Sequence, residues 1–292
     1  MTDVVADYLR RWAAEPDGAT FSTPTSILAP ARRGDMPVML KIATEAEEAR
    51  GNRLMAWWGG LGAATVLEHD DQAVLLERAV GTRSLVRMAE SGGDSDDEAT
   101  RILCLVGTRL HAIGVSAGGA STVGARVVPV DEPPRDLIEL ERWFRDLFTH
   151  ASAVGGFHAR AAVIAGELLA DQREVRVLHG DLHHGNVLDF GAERHPEADG
   201  WLAIDPKYLI GDRAFDFTNI LCNPTAAVAQ RPGRFARQLD VIADAAGLER
   251  ERLLRWTVAW CALSSSWPSN NGQWPRSTIA LGLEAERMLA AD

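Results

Sequence analysis

The most constraining feature of this chain is a polar run of eight residues enclosed by two short apolar segments. Residues 179–186 read HGDLHHGN, after the segment VRVL at 175–178 and before the segment VLDF at 187–190. Short apolar runs bounded by glycine and polar residues are typical of β-strands. The pattern therefore predicts two strands separated by a tight polar loop, and loops held by a rigid scaffold often carry functional side chains.

The residue types in and after this loop indicate phosphoryl transfer. Asp181 is followed five positions later by Asn186, and a third apolar run, WLAI at 201–204, ends on Asp205. In kinases a carboxylate at the first position orients and deprotonates the attacking hydroxyl, while an amide oxygen and a second carboxylate hold magnesium on the nucleotide. Asp181 is therefore the candidate catalytic base, and Asn186 and Asp205 are the candidate Mg²⁺ ligands.

The same residues carry a family resemblance. LHGDLHHGNVLDFG at 178–191, continued by WLAIDPK at 201–207, closely resembles the aminoglycoside phosphotransferase family. The branch of streptomycin 6-kinases and hydroxyurea phosphotransferases is the nearest, and the likeness continues through IGDRAFDF at 210–217 and NILCNP at 219–224. The close match thus covers residues 178–224, and a weaker, colinear likeness covers the rest. One departure is His184, where the commoner family loop has proline.

The resemblance implies an α+β, two-lobed protein-kinase-like fold. A small antiparallel β lobe at residues 1–80 would bind the nucleotide, and a larger, mainly helical lobe at 81–292 would carry the catalytic loop and the acceptor pocket. The length of 292 residues also favours two lobes, because single cores rarely grow beyond this size. A composition with 46% hydrophobic and 24% charged residues is ordinary for a globular protein.

A lysine in the amino-terminal region fits the nucleotide site of such a fold. Segments 26–29 and 38–42 read as two strands around a turn, and Lys41 lies in the second. In kinases a strand lysine steadies the inner phosphates and pairs with a helix glutamate. The next predicted helix, from 44 to 58, offers Glu45, Glu47 and Glu48, of which we choose Glu48. Standing alone, the motif would more often be a solvated lysine near an acidic helix surface, but its place upstream of the catalytic loop favours the kinase interpretation.

The resemblance also locates an adenine-binding hinge. It falls after the predicted strand at 73–78, on the backbone of Glu77, Arg78 and Ala79. No GxGxxG motif occurs between residues 22 and 40, which argues against a protein kinase.

Charge and segment composition restrict the partners. A net charge of -11 and a pI near 5.2 argue against nucleic acid and suit a cationic small molecule, although acidic surfaces also simply keep proteins soluble. No apolar run approaches membrane-spanning length, the first residues lack signal-peptide features, and three cysteines are widely spaced. We therefore expect a cytoplasmic protein with no nucleic-acid or membrane partner. The pattern leaves the oligomeric state open.

The expected function is transfer of the γ-phosphoryl group of ATP, with Mg²⁺ as cofactor, to a hydroxyl of a small antibiotic-like molecule. The resemblance implies an aminoglycoside such as streptomycin, phosphorylated at the 6-hydroxyl, and hence antibiotic resistance. Hydroxyurea and cyclic peptide antibiotics are alternative acceptors within the same family.

Two other classes stay open. A metallohydrolase would use clustered side chains of the loop as metal ligands, namely His179, Asp181, His183 and His184. That reading leaves Asn186 and Asp205 unexplained. The second class is a non-catalytic protein with a kinase-like fold that only binds a ligand or partner. Such a protein could lose its base or a metal ligand without losing its fold, whereas this chain has Lys41, Asp181, Asn186 and Asp205 together.

Overall fold

A computed structural model describes most of the chain, in five segments: 2–113, 120–123, 126–129, 132–267 and 276–291. The chain divides into two compact units. The first unit consists of Met1–Ser84, Arg109–Arg135 and Asn186–Tyr208. The second consists of Leu85–Thr108, Asp136–Gly185 and Leu209–Asp292. The predicted lobe boundary at residue 80 stays a prediction.

The described residues form the following elements. The strands are β1 (Glu15–Pro16), β2 (Phe21–Ser22), β3 (Ser26–Arg33), β4 (Met36–Ala43), β5 (Val66–His69), β6 (Ala73–Glu77), β7 (Ala120–Val123), β8 (Arg126–Pro129), β9 (Ile138–Glu139), β10 (Val175–Leu178), β11 (Val187–Asp189), β12 (Trp201–Ala203) and β13 (Leu209–Asp212). The helices are α1 (Thr2–Arg11), α2 (Ala46–Trp58), α3 (Leu85–Ser91), α4 (Gly93–Ala112), α5 (Leu140–Trp143), α6 (Arg145–Val154), α7 (Gly156–Ala170), α8 (Arg213–Asp216), α9 (Thr218–Leu221), α10 (Ala226–Ala229), α11 (Arg234–Ala246), α12 (Arg250–Ser266) and α13 (Arg276–Leu289), with a 3₁₀ turn at Pro196–Ala198.

An antiparallel sheet forms the centre of the first unit. Its strand order is β1-β3-β4-β6-β5, with β2 paired to β3. Along β4, Val38, Leu40 and Ile42 are buried in the core that includes residues of α1. Because successive strand residues point to opposite faces, Met39 and Lys41 face the other side of the sheet. Both of them line a cavity there.

A second antiparallel pair of strands also belongs to the first unit. Strands β11 and β12 are antiparallel, with Val187 opposite Ala203 and Asp189 opposite Trp201. Strand β10, which precedes the polar loop, instead pairs with β13 in the second unit. The two strands that flank the loop therefore have different partners.

The second unit is mainly helical. Its long helix α12 begins with charged residues and is buried along most of its length from Leu253 onward, where apolar side chains predominate. Trp256 of this helix is fully buried, and its ring centroid lies 5.8 Å from that of Phe144 and 5.7 Å from that of Phe215. A three-stranded sheet in the order β10-β13-β9 completes the unit. An antiparallel sheet and a mainly helical unit together confirm the predicted α+β class.

The described helices include none with the length and apolar character needed to cross a lipid bilayer.

Helix α2 approaches the segment after β12 very closely, and glycine makes this possible. A Cβ atom placed on Gly51 would lie 2.4 Å from the carbonyl oxygen of Pro206. Since that oxygen belongs to the backbone, it cannot rotate away as a flexible side chain would. The contact places α2 against the residues that directly follow Asp205.

We predict that Gly51→Ala destabilises the protein by about 1–3 kcal/mol, because the added methyl group forces α2 away from Pro206. Gly166→Ala is the matched control, since Gly166 lies within α7 and a Cβ placed on it would meet no atom within 4 Å. Its helix-propensity gain should stabilise the protein by roughly 0.5–1 kcal/mol. Urea unfolding of both variants tests the contrast, and equal shifts in the same direction would contradict it.

Candidate functional site

A buried ion-pair network lies at the centre of the first unit. Lys41 on β4 donates to Glu48 on α2, with 2.6 Å from Nζ to Oε2. Lys41 also donates to Asp205, which follows β12. Of the three candidate glutamates, the structure thus places Glu48 on the lysine. Lys41 and Glu48 are close in sequence, whereas Asp205 lies 164 positions after Lys41.

A second lysine completes this network. The Nζ atom of Lys207 lies 3.5 Å from Oε1 of Glu48 and 3.4 Å from Oε1 of Glu47. A buried carboxylate is costly unless it is paired and hydrogen-bonded, so two cations on Glu48 account for its burial. Nothing in the sequence pattern pointed to Lys207 except its place two positions after Asp205.

The environment of Asp205 keeps its carboxylate charged. Partial burial by itself would raise the pKa of Asp205, but the positive charge of Lys41 and a hydrogen bond from it hold that pKa below the usual 3.8. The backbone of Asp205 has a φ of 65°, a left-handed conformation that is uncommon outside glycine. Such conformations cluster at functional sites, where the surrounding structure enforces them.

Asn186 and Asp205 lie at the same end of the β11–β12 pair. The backbone N–H of Ile204 donates to the carbonyl oxygen of Asn186 at 2.9 Å, which extends the pairing by one residue beyond Val187 and Ala203. Asn186 is buried. An amide oxygen and a carboxylate are hard oxygen donors of the kind that Mg²⁺ prefers, so these two residues fit a magnesium ion.

A cavity of about 350 Å³ adjoins the network. Apolar side chains provide much of its wall, namely Leu28, Met39, Leu76, Leu188 and Phe190. Lys41, Asp205, Glu77 and Ala79 also line it. An apolar pocket with a few charged groups is typical of small-molecule sites.

The side chain of Glu77 is held by the protein itself. Its Oε1 accepts from the backbone N–H of Thr65 at 2.7 Å, and its Oε2 lies 2.9 Å from Nε2 of His195. These contacts occupy the carboxylate of a residue whose backbone was predicted to read adenine. The prediction for Glu77, Arg78 and Ala79 concerns the main chain and stays a prediction.

A clamp around Arg83 ties the segment after β6 to β11 and β12. Arg83 donates from Nε to Oδ2 of Asp189 at 3.0 Å and from Nη2 to Oδ1 at 2.9 Å, and its Nη1 reaches Asp199 at 2.7 Å. Its guanidinium carbon lies 4.8 Å from the ring centroid of Trp201. Gly81 permits this approach, because a Cβ there would lie 2.1 Å from Cγ of Asp189. Sequence patterns gave no signal for the clamp.

In the second unit, one buried aspartate braces the polar loop and a second one caps a short helix. Asp216 accepts from the backbone N–H of His179 at 2.7 Å and of Gly180 at 2.6 Å. Asp212 caps α8 by accepting from the N–H of Ala214 at 2.9 Å. Asp216 therefore supports the backbone just before Asp181, whereas this contact of Asp212 lies at the start of α8.

Asp181 is oriented by a pair of asparagines. Nδ2 of Asn219 donates to Oδ1 of Asp181 at 2.7 Å, and Nδ2 of Asn223 donates to Oδ1 of Asn219 at 2.8 Å. The second bond fixes which end of the Asn219 amide faces Asp181. His183 comes no closer than 3.8 Å with its Nε2 to Oδ2 of Asp181. Asn219 and Asn223 were not among the predicted site residues.

The loop histidines have structural contacts. Nδ1 of His179 accepts from the backbone N–H of Asp181 at 3.2 Å, and Nδ1 of His183 accepts from that of Gly185 at 3.0 Å. Burial lowers the pKa of His184 to about 3, with the positive charge of Arg234 adding to the effect, so this imidazole is neutral at neutral pH. Across the described segments, no group of three or more His, Cys, Asp or Glu side chains has a metal-binding arrangement.

The predicted site residues therefore fall into two sets. Lys41, Glu48, Glu77, Ala79, Asn186 and Asp205 belong to the first unit, where the structure brings Lys41, Glu48 and Asp205 into direct contact. Asp181 belongs to the second unit, five positions before Asn186 along the chain.

The fold is that of kinase-like phosphotransferases. A solved structure that resembles this chain is a thermostable mutant of aminoglycoside phosphotransferase APH(4)-Ia, in a ternary complex with ADP and hygromycin B. The TM-score is 0.62 at 14% sequence identity, and the alignment covers 99% of this chain and 98% of that one. The predicted fold class is confirmed.

Sequence relatives identify the family. The family model described as aminoglycoside/hydroxyurea antibiotic resistance kinase matches residues 11–272. Streptomycin 3''-kinase of Klebsiella pneumoniae is 42% identical, over 96% of this chain and 98% of its own length. Streptomycin 6-kinase of Streptomyces griseus is 32% identical, over 92% of this chain and 83% of its own. The chain belongs to the aminoglycoside/hydroxyurea antibiotic resistance kinase family, and it is an ATP-using phosphotransferase with an alcohol group as acceptor.

The Arg83 clamp makes a pH-dependent contribution to stability. Hydrogen bonds from Arg83 hold the pKa of Asp189 below the usual 3.8. A carboxyl with a depressed folded-state pKa contributes stability above its unfolded pKa, and this contribution is lost as the pH falls through the folded value. Arg83→Met should therefore destabilise the protein by about 1–2 kcal/mol near neutral pH. This range allows for solvent screening, because Arg83 is partly exposed. The difference from the parent protein should shrink below about pH 3.8.

Urea unfolding at a series of pH values measures this difference. Arg135→Met is the control, because its ion pair with Glu132 is almost fully exposed and contributes little. A loss of stability in Arg83→Met that is independent of pH would contradict the assigned charge interaction.

Proposed function

We propose that this protein inactivates streptomycin by transferring the γ-phosphoryl group of ATP to the 3''-hydroxyl. The observation that carries the proposal is the contact of Lys41 with both Glu48 and Asp205 at the edge of a ligand-sized cavity, in a member of an antibiotic kinase family. This arrangement supplies a buried cation for nucleotide phosphates and an ionised carboxylate for a metal.

In the first unit, each predicted residue has a role toward the nucleotide. Lys41 steadies the α and β phosphates and is held in place by Glu48. Asn186 and Asp205 hold Mg²⁺, which when bound neutralises charge on the terminal phosphates. The backbone of Glu77 and Ala79 receives the adenine ring, with the apolar cavity wall on its faces.

In the second unit, Asp181 acts as general base. We assign Oδ2 to the acceptor hydroxyl because Oδ1 accepts from Asn219. As the hydroxyl oxygen attacks the γ-phosphorus, its proton passes to Asp181, and the bond from that phosphorus to the bridging oxygen breaks to release ADP. Catalysis then consists of positioning and charge neutralisation, without a covalent enzyme intermediate.

The choice of acceptor follows from the relatives and from charge. Two guanidinium groups make streptomycin cationic, which suits a protein with a net charge of -11. The sequence resemblance favoured the 6-hydroxyl. The relative that is 42% identical is a 3''-kinase, whereas the two 6-kinases are 32% and 31% identical, and we therefore favour the 3''-hydroxyl. Hydroxyurea is the alternative acceptor, since a hydroxyurea phosphotransferase is 31% identical.

Product analysis tests the acceptor directly. Purified protein with ATP and magnesium should release ADP when streptomycin is added and should yield a single phosphate at the 3'' position, assigned by two-dimensional phosphorus–proton NMR. Hydroxyurea and hygromycin B serve as comparison acceptors. Phosphate at the 6 position would overturn the assigned hydroxyl. Turnover with hydroxyurea but not with streptomycin would overturn the assigned substrate.

Two substitutions separate the proposed roles of the aspartates. Asp181→Asn should lower kcat by about 10²–10⁴-fold while nucleotide affinity changes little, because a general base is lost and the nucleotide contacts are kept. Asp205→Asn should instead weaken nucleotide binding in the presence of magnesium, because a charged metal ligand is lost. Titration calorimetry and steady-state kinetics measure the two effects.

Asn219→Ala extends this comparison to the positioning of the base. It should lower kcat by about tenfold with little change in the KM for ATP, because Asp181 keeps its charge but loses its orientation. Near-normal turnover in Asp181→Asn would exclude the base role, and unchanged nucleotide affinity in Asp205→Asn would remove that residue from the metal site.

A further inference from the structure

Two cysteines that are 39 positions apart in sequence come together in the second unit. Cys222 follows α9, Cys261 lies within α12, and their sulfur atoms are 3.7 Å apart. Both are free thiols in the structure, as is the buried Cys104. We propose that Cys222 and Cys261 form a reversible oxidation site, at which a peroxide converts the two thiols to a disulfide and thereby lowers turnover. The effect on turnover rests on the proposed role of Asp181 as the base.

The packing around the pair determines which cysteine moves. Cys261 is fully buried, and a Cβ placed on Gly282 of α13 would lie only 2.8 Å from the Cβ of Cys261. Cys222 is partly exposed and ends a helix of four residues. A disulfide requires the sulfur atoms to be about 2.0 Å apart, so they must approach by more than 1 Å. We infer that Cys222 makes this movement because the surroundings of Cys261 leave it little room.

The chemistry balances with hydrogen peroxide as the oxidant. The more accessible Cys222 sulfur attacks one peroxide oxygen and becomes a sulfenic acid, and the other oxygen leaves as water. The Cys261 sulfur then attacks the Cys222 sulfur and displaces a second water. The hydrogen bond with Cys222, together with burial, raises the pKa of Cys261 well above the usual 9.0, so its proton leaves with the departing hydroxide. In sum, two thiols and one peroxide give one disulfide and two waters.

A short path of hydrogen bonds links Cys222 to the proposed base. The backbone N–H of Cys222 donates to the carbonyl oxygen of Asn219 at 3.1 Å. The next residue, Asn223, holds the side chain of Asn219 at 2.8 Å, and Asn219 in turn holds Asp181 at 2.7 Å. A displacement of Cys222 therefore shifts the two asparagines that orient Asp181.

The expected consequence is a loss of kcat without a loss of nucleotide affinity. Misplacement of a reacting group by about 1 Å can slow a reaction by up to about 10²-fold, so we expect a decrease of about tenfold or more. Lys41 and the cavity belong to the first unit, and we expect nucleotide affinity to stay within about twofold.

The test compares the reduced and the peroxide-treated full-length protein. After treatment and thiol capping, peptide mapping by mass spectrometry should find a Cys222–Cys261 cross-link, and the thiol count after denaturation should fall from three to one. The value of kcat should fall in parallel, and dithiothreitol should restore both. Cys222→Ser and Cys261→Ser should each abolish the response, whereas Cys104→Ser should keep it. Each variant is compared with its own untreated form.

Hydrogen exchange provides a readout that does not depend on turnover. Oxidation should increase amide exchange in the peptide that covers residues 178–186, because the support of the loop is disturbed. Absence of the cross-link, or a cross-link that changes neither kcat nor this exchange, overturns the proposal. A protein that is inactive before oxidation would disprove the proposed function. The mass-spectrometric cross-link and the amide exchange of the loop peptide would still show whether Cys222 and Cys261 form an oxidation site. If Cys261→Ser fails to fold, Cys222→Ser still tests the proposal, because it alone should abolish the response to peroxide.

Discussion

The contact of Lys41 with Glu48 and Asp205 is the interaction on which the first unit depends. It joins the central sheet, helix α2 and the segment after β12 through charges that are partly or fully removed from water. Such groups are tolerated only when each has partners, and Lys207 supplies the additional positive charge that Glu48 needs. The same charges serve the proposed chemistry, because a kinase site uses a lysine on the nucleotide phosphates and a carboxylate, here with the amide of Asn186, on the metal.

The second unit holds the proposed base, Asp181, by a different means. Asp181 is oriented by the amide of Asn219 and by a loop backbone that donates to Asp216. Neutral amides and backbone groups fix a direction without adding charge. Lys41 is thus held by two carboxylates, whereas Asp181 accepts a hydrogen bond from a neutral amide.

The sequence predicted the parts of this site that depend on local pattern. Lys41 and Glu48 are seven positions apart on a strand and the next helix, and the strands next to Asn186 and Asp205 were recognised as short apolar runs. It did not predict contacts that depend on tertiary packing. Arg83 meets Asp189 across 106 positions and Lys207 meets Glu48 across 159, and neither pair has a spacing that marks it. The sequence did not predict the contact between Cys222 and Cys261 either, because a separation of 39 positions matches no cysteine motif.

The buried imidazole of His184 has a consequence for life in mildly acidic surroundings. An unfolded chain takes up a proton at this residue near pH 6.5, whereas the folded loop resists protonation until about pH 3. The contribution of His184 to stability therefore declines as the medium acidifies through this interval. A buried imidazole in the polar loop thus makes folding less favourable in acidic media.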